Sequence, residues 1–226
     1  MIHFSARGNI NSFWQLTELA PPAEFRTHES QITPDQLDEF ETLICTRARE
    51  REMATFISAN PALLTILLDF SRAGHHDAWV IPRKAIRARL PAEPSGAVPS
   101  FIVGGKSSGG IAWIAVELKG ADSELFTGRG ESLQFSAPAN VGVCHLLESI
   151  DWCRKEQKSL REEVQLHGLT QPKGYLLIGA EEEFCDTRRQ EMKGAWNRLM
   201  AGTLQIRTYD ALLRAGRRLV SNYRKA

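Results

Sequence analysis

The sequence predicts an α/β (α+β) fold: a mixed central sheet flanked by helices and preceded by a helical N-terminal region. Three observations carry this. Leu37, Phe40, Ile44 and Ala48 recur at helical spacing early in the chain. Phe101-Ile102-Val103 and the β-branched run Ile111 to Leu118 stand on either side of a glycine-rich tract, as the arms of a hairpin do. After residue 138, helical and short apolar extended patterns alternate to the end of the chain.

Taken in order, Pro21-Pro22 breaks any long element in the first 33 residues. Thr33-Pro34-Asp35 opens a helix, with Thr33 as N-cap and Pro34 in the first turn, and its pattern runs through Arg47–Glu52 to Ile57. Asn60-Pro61 punctuates it before a short apolar helix, Ala62 to Phe70. A short strand is predicted over Ala78–Ile81, then a loop from Pro91 to Pro99. Gly104–Gly110 reads as a turn or loop, and Gly120–Gly130 as a polar loop. A long helix from Pro138 to about Leu166, a strand Tyr175–Ile178, a helix Cys185–Met200, a strand Leu204–Thr208 and a closing helix from Tyr209 complete the chain.

The 226 residues carry 28 Lys and Arg against 27 Asp and Glu, a formal net charge of +1, which excludes a uniformly basic nucleic-acid coat or an acidic DNA mimic. The balance hides a gradient from net −4 over residues 1–60 to net +5 over 170–226. Solvated helix faces, a phosphate-contacting surface, or pairing of acidic and basic helices in a homo-oligomer would each produce it. No run approaches the roughly 18 apolar residues of a membrane helix. The first residues lack a basic start followed by an apolar core, so a cytoplasmic protein is expected. Cys45, Cys144, Cys153 and Cys185 form no C-x-x-C pair and read as buried thiols in a reducing compartment. His75-His76 lacks further ligands at zinc spacing.

The residues that suggest chemistry are Val116-Glu117-Leu118-Lys119, at the end of the strongest strand. Side chains alternate along a strand, so Ala112, Ile114, Val116 and Leu118 take the core face while Glu117 and Lys119 share the other, partly polar one. A carboxylate beside an ammonium suits metal-assisted phosphodiester hydrolysis: the carboxylate holds a divalent cation and the ammonium orients water or neutralises a phosphate oxygen. Alone, E-x-K also fits a surface ion pair on an edge strand.

Proline, a small polar residue, a hydrophobic strand, a hairpin and then E-x-K is the layout of the PD-(D/E)XK nucleases. More specifically, the chain resembles the C-terminal nuclease domain of the Shedu family of bacterial anti-phage defence proteins. Phe56–Pro61 with Leu63-Leu64 resembles its helix ending in N-P and paired leucines, Pro99-Ser100-Phe101 its P-D-F strand start, and Val116–Lys119 its V-E-L-K. Pro172–Gly179 resembles its proline-glycine entry into a strand ending in glycine, and Arg207–Leu213 its T-Y-D-x-L-L close. The resemblance implies a restriction-endonuclease-like PD-(D/E)XK core over residues 46–226, after an N-terminal region, 1–45, that holds the start of the first long helix. It implies a Mg²⁺-dependent (or Mn²⁺-dependent) deoxyribonuclease acting on DNA, assembled as a homo-oligomer and outside the membrane. Glu117 and Glu52 would be metal ligands, with Glu50 close behind Glu52, and Lys119 the catalytic lysine.

Two positions depart from the family. Ser100 stands where the family has its metal-binding Asp, and a neutral hydroxyl is a far poorer Mg²⁺ ligand. His145 and Ser149 stand where the family tends to carry Gln and Tyr; His145 could touch the attacking water or a phosphate. Ser100 keeps a second function open, a catalytically impaired nuclease fold that binds DNA, senses or assembles. Lys106 at the hairpin and Arg188, Arg189 and Lys193 on the basic helix are the candidate DNA contacts.

Overall fold

In the computed structural model, which describes residues 20–71, 76–90 and 97–223, Thr33 opens the first helix by a reciprocal cap. Its Oγ1 accepts from Gln36 N at 3.2 Å, and the Gln36 side chain accepts from Thr33 N at 2.9 Å. This helix, α1 (Pro34–Cys45), stops short of the expected continuation. Arg47 turns the chain through a left-handed φ of 55°, and a second helix, α2 (Glu50–Ala59), starts in a new direction. The cause is tertiary: at the break, Ala48 O accepts from Ala121 N at 2.8 Å, which ties the start of α2 to the loop after the central hairpin. A 3₁₀ turn, Pro61–Thr65, and α3 (Ile66–Phe70) follow, with Leu63, Leu64, Ile66, Leu67 and Leu68 fully buried.

The remaining elements are the strand pair β1 (Arg26–Thr27) and β2 (Asp77–Pro82), the short helix α4 (Arg83–Arg89), β3 (Phe101–Ser107) and β4 (Gly110–Leu118). After them come a two-strand ribbon of β5 (Phe126–Thr127) and β6 (Gln134–Phe135), α5 (Ala137–Lys155), α6 (Gln157–Glu162), β7 (Lys173–Leu177), α7 (Thr187–Leu199), β8 (Leu204–Arg207) and α8 (Tyr209–Tyr223). The anticipated mixed sheet has the order β1-β2-β3-β4-β7-β8; the first four strands are antiparallel neighbours, and β4, β7 and β8 are parallel. The α5 segment makes the crossover between the parallel strands β4 and β7, as such a connection requires.

Both faces of the sheet are covered. Ile114, Val116 and Leu118 pack with Leu37, Phe40, Ile57, Tyr209 and Leu212 from α1, α2 and α8, so α1 belongs to the same core as the C-terminal helix. The opposite face, expected to be partly polar, packs Ala115 and Leu176 against Ala139 and Leu146 of α5. Glu117 therefore lies inside the molecule.

The glycines expected to form a turn instead extend the strand: Gly104 and Gly105 pair with Trp113 and Ala112, and the turn is confined to Ser108-Gly109. A Cβ at Gly104 would sit 2.6 Å from the Trp113 ring, so glycine makes room for the indole, whose Nε1 donates to His167 O at 3.0 Å. Gly179 takes φ +67°, and a Cβ there would meet Ser123 O at 2.7 Å; the glycine ending the strand is required by this close approach. The polar loop after Gly120 holds the β5–β6 ribbon, and the long helix divides at Glu156 into α5 and α6.

The charge gradient is partly consumed within the chain, since Arg217 of α8 pairs with Asp38 at 3.2 Å and with Glu41, both on α1. Three of the four cysteines (Cys45, Cys144 and Cys185) are exposed, contrary to expectation; only Cys153 is buried, and burial pushes its thiol up to about 12. His75 and residues 91–96 of the expected loop lie outside the described residues. Among the described residues, no single helix is long and apolar enough to cross a membrane.

Candidate functional site

The register of the hairpin sets Phe101 opposite Val116, which brings Ser100 beside Glu117 at the mouth of the sheet. The Glu117 side chain is only 2% exposed. Its Oε2 accepts from Ser100 Oγ at 2.8 Å, from Arg83 Nη2 at 2.9 Å and from Ser100 N at 3.3 Å. Its Oε1 lies 3.5 Å from His145 Nδ1 and 4.0 Å from Lys119 Nζ. Lys119, 9% exposed, donates to Glu50 Oε2 at 3.1 Å. The structure thus gathers Glu50, Arg83, Ser100, Glu117, Lys119 and His145.

Lys119, Arg83, Ser100 and His145 are also held through their backbones. Lys119 N donates to Leu177 O at 2.8 Å, and the buried Tyr209 hydroxyl donates to Lys119 O. Burial, reinforced by the negative charges of Glu50, Glu117 and Asp122, pushes the Tyr209 phenol well above its ordinary value and keeps it a donor. Arg83 N donates to Ser100 O at 2.9 Å, so the first residue of α4 is fastened to the strand start. On α5, the buried Ser149 Oγ bonds back to His145 O at 2.7 Å, while the His145 ring stays nearly half exposed. Ser149 therefore supports the helix and does not reach Glu117.

Glu52 is not part of the group. Its carboxylate accepts from Arg49 N at 2.9 Å, capping α2, and lines a separate cleft with Glu39, Arg51 and Thr55. Two residues along a helix turn a side chain by about 200°, so Glu50 and Glu52 face nearly opposite ways and only Glu50 meets Lys119.

The expected DNA contacts are scattered. Lys106 stands six residues along β3 from Ser100, about 20 Å away along the strand. Arg189 is committed to Glu183 at 3.0 Å and Glu124 at 3.4 Å. Arg188 is exposed beside Glu191 at 3.7 Å. Lys193 lies 4.0 Å from the Phe184 ring centroid, and burial, aided by nearby Arg207, pulls its ammonium down to about 8.

That depression has a testable consequence. Below about pH 8 both folded and unfolded chains hold the Lys193 proton and folding bears the full cost of burying the charge. Between about 8 and 10.5 the unfolded chain alone retains it, so stability rises with pH. Urea unfolding at about pH 7.5 and about pH 9.5 should show the wild type gaining about 1 kcal/mol relative to Lys193→Met, after allowance for solvent screening and the ring contact. Parallel pH profiles would contradict this assignment.

A basic group missed in the sequence borders the site instead. Arg83, Lys84 and Arg87 of α4 line a cleft of about 470 Å³ together with Glu50, Ser58, Ser100 and Phe101. Lys84 and Arg87 are exposed and form no ion pair among the described residues. The signal was present in the pattern Arg83-Lys84-x-x-Arg87-x-Arg89, on a helix too short to register in apolar periodicity.

Mg²⁺ or Mn²⁺ takes about six oxygen ligands, several of them water, with one or two carboxylates from the protein. Here Glu117 Oε2 already receives three protons, Ser100 turns its hydroxyl proton toward that oxygen, and two carboxylates face two fixed cations. No group of three or more His, Cys, Asp or Glu side chains able to hold a metal occurs among the described residues. This arrangement does not fit a divalent cation. No protein-family model matches the chain, and no curated protein matches it.

Proposed function

We propose that the chain is a DNA-binding protein on a Shedu-like PD-(D/E)XK framework, with its E-x-K site held in an ion-paired form that grips the phosphate backbone without metal-dependent cleavage. The observation that carries this reading is Arg83 on Glu117, at the edge of a cleft whose rim adds Lys84 and Arg87. Unpaired cations beside an open cleft attract a polyanion, and the counterions it releases drive binding. The hairpin ending in E-x-K, the proline-led strand beside it and a helix bringing Glu50 to Lys119 support the nuclease-like framework. The resemblance of the ordered motifs supports a role in anti-phage defence.

A cleaving enzyme is the second reading, favoured by the retained contacts of Lys119 with both Glu50 and Glu117. Supercoiled plasmid incubated with the chain and Mg²⁺ or Mn²⁺ separates the two. Wild type is expected to retard the plasmid in a gel while nicking it no faster than Lys119→Ala does. Nicking by wild type that the Lys119 variant loses would establish the enzyme.

A further inference from the structure

The geometry points to Arg83 as a built-in cation standing where a divalent metal would lie against Glu117, with Ser100 the residue that makes the replacement work. This rests on reading Glu117 and Lys119 as a nuclease-type pair. Three contacts close a triangle: Arg83 Nη2 donates to Glu117 Oε2 at 2.9 Å and to Ser100 Oγ at 3.1 Å, while Ser100 Oγ donates to Glu117 Oε2 at 2.8 Å. Ser100 is acceptor to the cation and donor to the anion at once. An aspartate could accept from Arg83 but has no proton to give Glu117. It would set two carboxylates against each other, an arrangement that a dication relieves and a single guanidinium relieves only partly.

Serine with arginine and aspartate with metal are therefore two self-consistent solutions to one buried carboxylate, and the chain has the first. The guanidinium is held there at a cost, since Arg83 Nε is buried with no partner among the described residues. A guanidinium on a covalent side chain does not dissociate as a metal does. The site is permanently neutralised, and Glu117 is closed to a dication unless Arg83 leaves.

Thermal unfolding with and without Mn²⁺ tests the exchange without reference to DNA. Mn²⁺ should move the wild-type midpoint by less than ~1 °C. Arg83→Met should melt several degrees lower, because Glu117 loses its cation. Arg83→Met/Ser100→Asp should melt lower still in chelator and recover by roughly 5 °C or more with Mn²⁺. Arg83→Met/Glu117→Gln removes the buried charge; it should regain much of the loss and ignore Mn²⁺, which also shows that the Met side chain is tolerated. Equal Mn²⁺ stabilisation of wild type and Arg83→Met/Ser100→Asp would overturn the inference, because guanidinium and metal would then coexist. So would a folded Arg83→Met/Ser100→Asp protein indifferent to Mn²⁺. Absence of DNA binding would sink the proposed function and leave these outcomes unchanged.

Discussion

Replacing Glu117 with alanine is expected to cost about 3–5 kcal/mol of folding free energy, read as a fall in the urea midpoint at unchanged slope. The loss has three sources. Ser100 Oγ and Ser100 N lose their acceptor, and Arg83 Nη2 keeps only the Ser100 hydroxyl. Lys119, almost fully buried, keeps only Glu50 as an anionic partner. A packed side chain also vanishes from beneath α5, leaving a polar cavity. Glu117→Gln keeps the shape and one acceptor oxygen, so it should cost about 1–2 kcal/mol, most of it from the unpaired cations. If Glu117→Ala unfolds within about 1 kcal/mol of wild type, the carboxylate is not the hub that its contacts describe.

The second large effect belongs to Glu183, a carboxylate with no part in the site. Its side chain is 3% exposed, and it accepts from Leu125 N and Phe126 N at 2.7 Å each and from Arg189 at 3.0 Å. It thereby fixes the loop leading from the E-x-K strand into the β5–β6 ribbon. Burial raises its pKa, against the pull of the two backbone N–H groups and Arg189. Ionised Glu183 accordingly costs some stability at neutral pH, regained as pH falls through the raised value. Glu183→Ala nevertheless orphans two buried donors and a guanidinium, and should cost about 2–4 kcal/mol by chemical denaturation. Loss below about 0.5 kcal/mol would mean that water replaces the carboxylate freely.

Much of the frame could be read from residues alone, for identifiable reasons. The Thr33 cap, the β-branched Ile111–Leu118 run and the alternating elements after residue 138 are local signals that tertiary packing reinforced. The placing of Glu117 and Lys119 side by side and the helix start at Tyr209 were legible too, because each is set by local spacing. The choice of Glu50 over Glu52 was not. It depends on where α2 begins, and Ala121, seventy-odd residues away, decides that through its bond to Ala48. Gly104 and Gly105 looked like turn residues because their strand role is visible only from Trp113 across the sheet.

Arg83 was hidden for a different reason. Its meaning is its contact with a carboxylate 34 positions on, and no periodicity encodes a cross-sheet ion pair. The basic α7 helix misled in the opposite direction. Local sequence displayed its charges but not Glu183 and Glu124, which bind Arg189, or the Phe184 ring under Lys193.

Whether the α4 cleft holds DNA is tested most directly by fluorescence anisotropy of a labelled duplex titrated with the chain across a range of salt. Wild type should bind with log K falling linearly against log salt, at a slope near −3, as expected for about three neutralised phosphates. Lys84→Glu/Arg87→Glu changes exposed side chains outside the Glu117 network, so the fold should persist. Its affinity should drop roughly 10-fold or more at ~50 mM salt, and its slope should shrink by about 2. Binding that ignores salt, or a double variant that holds the duplex as tightly as wild type, would contradict the assignment of this cleft to the phosphate backbone.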